Sequence, residues 1–209
     1  MRIAKQGYPL IITGAAITSV AAAIGWKFAS SFFGLATLAV AGFFRDPERQ
    51  IPAGEGLVVS PADGKVVSIA EVGGASHFAD AMTRVSIFLS PLDVHINRMP
   101  VAGRVQDVRY QPGSFLPAYK AEASLRNERN SLEVIDPQER LFGIVQIAGV
   151  LARRVVCWVR PGDTLRRGDR FGLIMFGSRT DLYLPPGCKI EVSEGQKVKG
   201  GETIVARFV

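Results

Sequence analysis

Two uncharged apolar runs near the start of the chain constrain its fold more than any other feature of the sequence. The first run covers residues 10–25 and the second covers residues 28–44, and only Trp26 and Lys27 separate them. A helix that spans a bilayer needs about 20 apolar residues, within a range of about 17–25. Because each run is near the lower end of that range, three arrangements stay open: a tight hairpin of two spans, one tilted span, or two helices embedded in one leaflet.

Basic residues flank this apolar region on both sides. Arg2 and Lys5 precede it, and Arg45 and Arg49 follow it. The positive-inside rule favours the cytoplasmic side for both flanks, and basic side chains there attract anionic lipid head groups. A cleaved signal peptide is disfavoured because a second apolar run follows at once. We expect residues 1–45 to anchor the chain in the cell (inner) membrane, with the remainder on the cytoplasmic face. A helical hairpin buried in a soluble core is the alternative.

Composition limits the main partner to a membrane or a nucleic acid. The 209 residues include 25 Lys and Arg against 19 Asp and Glu, which gives a net charge of +6. A hydrophobic share of 47% excludes disorder. Single-stranded nucleic acids bind to aromatic stacking platforms, but the aromatic residues here are mainly Phe, many of them in the apolar runs. The sequence therefore predicts an anionic membrane, and no nucleic acid, as the partner.

Cysteine and histidine are too scarce to support most metal and redox chemistry. Cys157 and Cys188 cannot build a disulfide framework and lack the spacing of a zinc site, so we expect small core residues in a reducing compartment. His77 has no motif around it and is expected on the surface or in a helix, whereas His95 lies in a motif. No HExxH motif or Walker loop occurs, so no metal or nucleotide site is predicted.

Beyond residue 45 the sequence changes to short β-branched runs separated by Gly, Pro and Asp. This pattern is typical of a β-rich domain with tight turns. We predict a mainly β fold, a compact β-sandwich or barrel-like domain over residues 46–209, with a turn near 77–82 and a long loop or short helix at 115–130. The predicted strands are residues 57–60, 65–72, 85–89, 103–110, 132–135, 144–148, 155–159, 170–175, 180–183, 188–192 and 204–208.

One part of this domain repeats a pattern. Residues 162–171 and 195–204 share the spacing of their glycine, acidic and apolar positions, with a constant separation of 33 residues. Two copies are too few for a solenoid. They predict two similar hairpins in one compact domain, and such hairpins resemble those of lipoyl- and biotinyl-type barrels.

Three polar segments stand out within the β-rich region. Residues 60–65 read Ser-Pro-Ala-Asp-Gly-Lys, which by itself indicates an ordinary turn between strands. Residues 90–100 place an acid, an imidazole, an amide and a guanidinium close together in the sequence. A histidine with a purely structural role is an equally good interpretation of this segment. Residues 176–180 end a strand with a glycine and a small nucleophile. Each segment alone is weak evidence for chemistry.

Together and in this order, the segments resemble the phosphatidylserine decarboxylase proenzymes, in particular their short bacterial and archaeal form. The resemblance covers most of the chain and begins with the apolar N-terminal region. Its motifs are Phe-Phe-Arg-Asp-Pro at 43–47, Pro-Ala-Asp-Gly at 61–64, Leu-Ser-Pro-Leu-Asp-Val-His-Ile-Asn-Arg at 89–98, Asn-Glu-Arg-Asn at 127–130 and Phe-Gly-Ser at 176–178.

The resemblance implies a chain that cuts itself between Gly177 and Ser178. The products would be a β chain of residues 1–177 and an α chain of residues 178–209 that begins with a pyruvoyl group made from Ser178. The family uses this covalent cofactor to form a Schiff base with the serine amine of phosphatidylserine. The pyruvoyl group withdraws electrons as carbon dioxide leaves, and phosphatidylethanolamine is the product.

The resemblance also implies roles for three further residues. Asp63 matches the aspartate of the Asp–His–Ser set that longer members use for self-cleavage. Those members carry two histidines three residues apart. Here His95 matches the first and Arg98 stands at the second position. Either His95 serves both cleavage and decarboxylation, or cleavage needs no histidine and relies on Asp63 and strain. Arg98 could hold the carboxylate or phosphate of the substrate.

Other functions remain open at this stage. The main alternative is a membrane-anchored carrier of the lipoyl or biotinyl type, with Lys65 as the modified residue at a hairpin tip. A catalytically inactive lipid-binding relative is a further alternative, which the intact Ser178 disfavours. The expected partners are phosphatidylserine in an anionic membrane and the two chains of one proenzyme. Assembly into a homo-oligomer stays open.

Overall fold

A computed structural model describes residues 2–73, 82–116, 126–149, 154–175 and 178–208. The chain divides into two compact units, Met1–Glu48 and Arg49–Val209. His77, most of the turn predicted near it and the middle of the loop predicted at 115–130 lie outside the described residues, as does Gly177.

The first unit is a pair of helices closed by a short strand pair. Its elements are strand β1 (Arg2–Ile3), a 3-10 turn (Lys5–Gly7), helix α1 (Tyr8–Ala23), helix α2 (Lys27–Phe43) and strand β2 (Arg45–Asp46). Strands β1 and β2 pair antiparallel, which brings the two ends of the unit together. Gly25 has a φ of 79°. It lets the chain reverse between the helices because glycine adopts left-handed backbone at little cost.

The two helices approach closely but leave much of their apolar surface exposed. A Cβ atom on Gly14 would collide with Oγ1 of Thr37 on the other helix, so glycine is what permits this approach. No helix among the described residues combines the length and hydropathy needed to cross a membrane. Large apolar side chains nevertheless face outward, and the most exposed are Ile12, Val20, Trp26, Phe28, Phe32, Leu35 and Leu38.

The second unit is built from strands, which confirms the predicted mainly β fold. In chain order they are β3 (Leu57–Val59), β4 (Gly64–Val72), β5 (Met82–Leu89), β6 (Ile96–Arg98), β7 (Gly103–Gln111), β8 (Arg129–Ile135), β9 (Leu141–Ala148), β10 (Val155–Cys157), β11 (Thr164–Leu165), β12 (Arg170–Ile174), β13 (Ser178–Leu184), β14 (Cys188–Ile190), β15 (Lys197–Val198) and β16 (Ile204–Phe208).

These strands form one large and two small antiparallel sheets. The large sheet has eight strands in the order β11-β7-β8-β9-β13-β5-β4-β15, and the small sheets have the orders β10-β12-β6 and β14-β16-β3. Strand β8 alternates between buried and partly exposed residues, as expected for a strand with one face on the core. Strand β13 lies inside the large sheet, and all seven of its residues are buried. The large sheet therefore holds β13 from both sides.

The repeated pattern in the sequence corresponds to two equivalent turns. Gly162 and Gly195, which are 33 positions apart, have φ values of 97° and 87°. The Gly162 N–H donates to the carbonyl of Val105 and the Gly195 N–H donates to the carbonyl of Val66, both at 2.8 Å. One turn lies beside β7 and the other beside β4. The likeness to lipoyl- and biotinyl-type barrels stays a prediction.

Candidate active site

The three polar segments of the sequence meet around strand β6. The Arg98 N–H donates to the carbonyl of Pro61 at 2.9 Å, and Nδ2 of Asn97 lies 3.4 Å from the same oxygen. Nδ2 of Asn97 also donates to Oγ1 of Thr180 at 3.1 Å. The fold thus gathers residues 61, 97 and 180, one from each segment, into a single buried region.

Ser178 lies at this region as the first residue of β13. Its strand partners are Leu89 on β5 and Ala148 on β9, so neighbouring strands hold its backbone on both sides. Its Oγ is buried and has no hydrogen-bond partner among the residues that the structure describes. An unpaired buried hydroxyl costs about 1–3 kcal/mol and is uncommon in folded proteins. Ser178 Oγ therefore forms no structural hydrogen bond within the described part of the chain.

His95 is fully buried and its ring is oriented by the backbone. Nδ1 lies 2.9 Å from the carbonyl oxygen of Asp93. A carbonyl can only accept, so Nδ1 carries the proton and Nε2 of the neutral ring is the acceptor. The His95 carbonyl accepts from the Ile174 N–H at 3.3 Å. This contact puts His95 beside β12, the strand that precedes Ser178.

Asp93 closes the turn from which His95 follows. Its carboxylate accepts from the Ser90 N–H at 2.8 Å and from the Ser90 Oγ at 2.7 Å. Aspartate favours such turns because its short side chain can bond nearby backbone. The acid of this segment therefore shapes the loop, and its carbonyl orients the imidazole.

Asp63 lies in the turn between β3 and β4 and is held by Arg49. Nη2 of Arg49 is 2.9 Å from Oδ1 and 2.7 Å from Oδ2 of Asp63. The Gly200 N–H donates to Oδ1 at 2.7 Å. Burial raises the pKa of Asp63 above its ordinary value, although Arg49 and the Gly200 N–H act in the opposite direction. The carboxylate is thus partly desolvated and firmly oriented.

A chain of buried amides runs beneath these groups. Nε2 of Gln146 donates to Oδ1 of Asn97 at 2.9 Å, and Nδ2 of Asn130 donates to Oε1 of Gln146 at 3.2 Å. Through the bond from Asn97 to Thr180, the chain connects β8, β9, β6 and β13. Ser178 and Thr180 are two residues apart on β13, so their side chains share one face. The amide chain therefore fixes the face of β13 that carries Ser178.

Similar proteins identify the family. A family model described as phosphatidylserine decarboxylase matches residues 36–206. The chain is 46% identical over 203 residues to the phosphatidylserine decarboxylase proenzyme of Geotalea uraniireducens, covering 97% of this chain and 95% of that protein. It is 45% identical over 208 residues to the proenzyme of the same name from Nitrosomonas eutropha, covering 99% and 95%. The chain belongs to the phosphatidylserine decarboxylase family. The predictions of a decarboxylase and of a zymogen are confirmed.

The Asn-Glu-Arg-Asn motif of this decarboxylase supports the strand beside Ser178. Nδ2 of Asn127 donates to the carbonyl of Ala148 at 2.7 Å, and the Ala148 N–H donates to the carbonyl of Glu128 at 2.9 Å. Ala148 is the residue opposite Ser178 on β9. The motif thus holds the end of β9 in register with the start of β13.

The buried Arg98 of the decarboxylase forms a hydrogen bond within the protein. The residue is 4% exposed, and its Nη1 donates to the carbonyl of Gly168 at 2.9 Å. This bond connects β6 to the turn that precedes β12. The role predicted for Arg98 in holding the carboxylate or phosphate of the substrate stays a prediction.

The sequence did not predict several residues of the candidate site. Arg49 was expected, with the other basic flanking residues, to attract lipid head groups, but its side chain is 8% exposed and pairs with Asp63. The cytoplasmic placement of this flank stays a prediction. Gln146 lies in a strand-like run whose pattern gives no sign of a polar contact. Asn130 lies in the Asn-Glu-Arg-Asn motif and Thr180 in the third polar segment, but neither was predicted as a residue of the site. A polar residue at an inward-facing strand position was the one available signal.

Other potential chemistry finds no support in the described part of the chain. No cluster of three or more His, Cys, Asp or Glu side chains that could hold a metal ion occurs there. Cys157 and Cys188 are unpaired and half-buried. Burial raises the pKa of both thiols, which lowers their thiolate fraction and their reactivity. The prediction that the cysteines are small core-packing residues agrees with their place against the main hydrophobic core.

Proposed function

We propose that the chain decarboxylates phosphatidylserine to phosphatidylethanolamine after cutting itself between Gly177 and Ser178. The observation that carries this proposal is the buried, unpartnered Oγ of Ser178, next to the place where Pro61, Asn97 and Thr180 meet. The family membership supports the decarboxylation, and the names of the relatives support phosphatidylserine as the substrate.

Self-cleavage uses atoms that the chain itself supplies. Ser178 Oγ attacks the carbonyl carbon of Gly177 and loses its proton, and the Gly177–Ser178 C–N bond breaks as an ester forms. Loss of the Ser178 Cα proton then expels the Gly177 carboxylate and leaves dehydroalanine. Water hydrolyses the dehydroalanine and releases ammonia, which leaves a pyruvoyl group at the start of β13. Glycine at position 177 suits this attack because it has no side chain to obstruct it.

The residues around Ser178 fit a pyruvoyl group at this position. The group is built from the backbone and Cβ of Ser178, so it stays where Leu89 and Ala148 hold the start of β13. Its ketone would supply an electron sink for the departure of carbon dioxide from the substrate amine. The buried surroundings lower the local dielectric constant, which strengthens electrostatic interactions there.

His95 and Asp63 are the residues that we propose to move protons at this site. Nε2 of His95 is an acceptor when Nδ1 carries its proton, so it can take the Ser178 Oγ proton or serve as an acid once protonated. Asp63 is a partly buried, oriented carboxylate and can act as a base in cleavage. In turnover, His95 returns a proton to the substrate carbon that loses carbon dioxide.

We propose that the helical pair of the first unit attaches the chain to the cell (inner) membrane, with the second unit on the cytoplasmic face. Attachment would bring the chain close to a lipid substrate, and the outward side chains supply apolar area: Phe28 is 95% exposed, Leu35 is 71% exposed and Leu38 is 70% exposed. Exposed apolar patches of this kind are typical of membrane or protein contact sites. Cationic residues near the helices add attraction for anionic lipids.

A mass spectrum of the denatured protein tests the central proposal. We expect two masses, for residues 1–177 and for residues 178–209 with a pyruvoyl group in place of Ser178. The purified protein should release carbon dioxide from phosphatidylserine in mixed micelles. An intact chain without decarboxylase activity would refute the proposal, and a lipoyl or biotin mass on Lys65 would favour the carrier.

A further inference from the structure

Arg49 holds Asp63 through both carboxylate oxygens. Its Nη2 lies 2.9 Å from Oδ1 and 2.7 Å from Oδ2, and its side chain is only 8% exposed. Nη1 of Arg49 is 3.7 Å from Oε2 of Glu202, which itself lies 3.9 Å from Nζ of Lys199. Arg49 therefore sits in a buried contact, whereas a surface cation would be solvated and would contribute little.

The other neighbours of Asp63 do not replace this contact. The Gly200 N–H donates to Oδ1 at 2.7 Å, which supplies one hydrogen bond but no charge. Asp93 is a like charge that disfavours ionisation of Asp63, as burial also does. Among the charged groups in the described residues around Asp63, namely Arg49, Asp93, Glu202 and Lys199, Arg49 is the one cation bonded directly to the carboxylate.

The contacts leave a defined part of the carboxylate free for chemistry. An ionised carboxylate has about four lone-pair positions. The described contacts with Arg49 and Gly200 use two on Oδ1 and one on Oδ2. The remaining position on Oδ2 can accept a proton. Arg49 thus combines two effects, because its charge opposes the rise in the pKa of Asp63 that burial causes and its contacts fix the direction in which the carboxylate accepts.

We propose that Arg49 is a positioning residue for self-cleavage, which holds Asp63 as an oriented base while Ser178 attacks Gly177. This inference rests on the proposed function, since it needs both the cleavage and the role of Asp63 in it. It assigns a task to the chain segment that joins the helical unit to the β unit, a segment that otherwise carries no chemistry.

The test follows the rate of cleavage against pH in Arg49→Met, Arg49→Lys, Asp63→Asn and unchanged chains. Each chain is made by cell-free translation with labelled methionine and moved to buffers between pH 5 and 9. All four methionines precede residue 178, so the label follows the full chain and the 177-residue fragment. Arg140→Met is the matched control, because Arg140 pairs with another buried carboxylate, that of Asp136, at 2.6 Å.

Loss of Arg49 should change the plot of cleavage rate against pH. Its acid limb, where the rate falls as Asp63 becomes protonated, should move to higher pH. An opposite charge at this distance lowers a carboxyl pKa by about 1–3 units, so Arg49→Met should move the limb upward by about that amount. Cleavage on the acid side should then be about tenfold slower for every pH unit by which the limb moves. Arg49→Lys keeps the positive charge, so its acid limb should lie close to that of the unchanged chain. Its maximal rate of cleavage should be lower. Arg140→Met should follow the unchanged chain.

The outcomes separate this inference from the function on which it rests. If the unchanged chain stays intact at every pH, both are overturned. If the unchanged chain cuts itself and Asp63→Asn cuts equally fast, Asp63 has no role and the inference fails while cleavage stands. If Asp63→Asn is blocked and Arg49→Met matches the unchanged chain in rate and limb position, the inference alone is overturned. An equal movement of the limb in Arg140→Met would also overturn it.

Discussion

Asn97 donates its side-chain amide to Oγ1 of Thr180 at 3.1 Å, two residues after Ser178 on the same strand. This bond links β6, which follows His95, to β13, the strand that begins with Ser178. Because Gln146 in turn bonds Asn97 at 2.9 Å, removal of one member leaves buried polar partners unpaired. The geometry around Ser178 therefore depends on residues that take no direct part in the chemistry.

Asn97→Ala should destabilise the fold around the site. In a Ser178→Ala background, which keeps the chain uncut, the free energy of unfolding should fall by about 1–3 kcal/mol because Gln146 and Thr180 lose their partner. Urea denaturation measures this change. Gln106→Ala, an exposed amide on β7, serves as the control and should change stability by less than about 0.5 kcal/mol. Equal effects of the two variants would show that the buried amide chain carries no stability.

Ser178→Ala should abolish both cleavage and decarboxylation. Without Oγ there is no nucleophile for the Gly177 carbonyl and no source for the pyruvoyl group. Mass spectrometry should find one chain of 209 residues, and carbon dioxide release from phosphatidylserine should be absent. Ser193→Ala, at an exposed position in the same half of the chain, should cut and turn over normally. Fragments at the same position in Ser178→Ala would contradict the assignment of the nucleophile.

His95→Ala separates the two roles that the sequence leaves open. If His95 serves both steps, the variant should accumulate uncut chain, and the fraction that does cut should show no turnover. Gel analysis and carbon dioxide release measure the two steps on one preparation. Complete cleavage without turnover would exclude the role in cleavage and keep the role in decarboxylation. His77→Ala, the variant of the chain's other histidine, should behave like the unchanged protein.

The tip of the helical pair should enter the lipid. Trp26 is 65% exposed between the helices, and Trp158→Phe leaves it as the single tryptophan of the chain. Vesicles of phosphatidylglycerol and phosphatidylcholine with brominated acyl chains should quench its fluorescence strongly.

Phe28→Ser combined with Leu35→Ser and Leu38→Ser should weaken binding to those vesicles by removing the apolar contact. Attachment through this surface would be contradicted if brominated vesicles did not quench the fluorescence of Trp26. It would also be contradicted if the three serine substitutions left the quenching unchanged. Vesicles of phosphatidylcholine alone should bind less tightly, since they lack the negative charge that attracts Arg and Lys.

The sequence predicted strands well where apolar side chains alternate or cluster. The run predicted at 85–89 is part of β5, and the run at 204–208 coincides with β16. Strand β6, at Ile96–Arg98, was not predicted. Asn97 and Arg98 are polar, and two adjacent polar residues locally indicate a loop. Their burial is explained by partners distant in sequence, at Thr180, Gln146 and Gly168.

The residues of the candidate site also differ in whether a local sequence pattern predicts them. Ser178, His95 and Asp63 could be chosen from the sequence because each lies in a short motif that resembles a known family. Arg49 could not be chosen, because an arginine beside an apolar helix is equally consistent with lipid contact. Only the fold brings its guanidinium to Asp63 and removes it from solvent.

The place of β13 inside the large sheet has a consequence for the protein after the proposed cleavage. The segment from Ser178 onward pairs with strands that precede the proposed cut: β13 with β5 and β9, β15 with β4, and β16 with β3. The two fragments would therefore stay together as a non-covalent complex. Folding, which is unimolecular before the cut, becomes a bimolecular and concentration-dependent reaction afterwards. When a cleaved molecule unfolds, its two fragments separate and diffuse apart. The lifetime of the active protein is therefore set by its rate of unfolding.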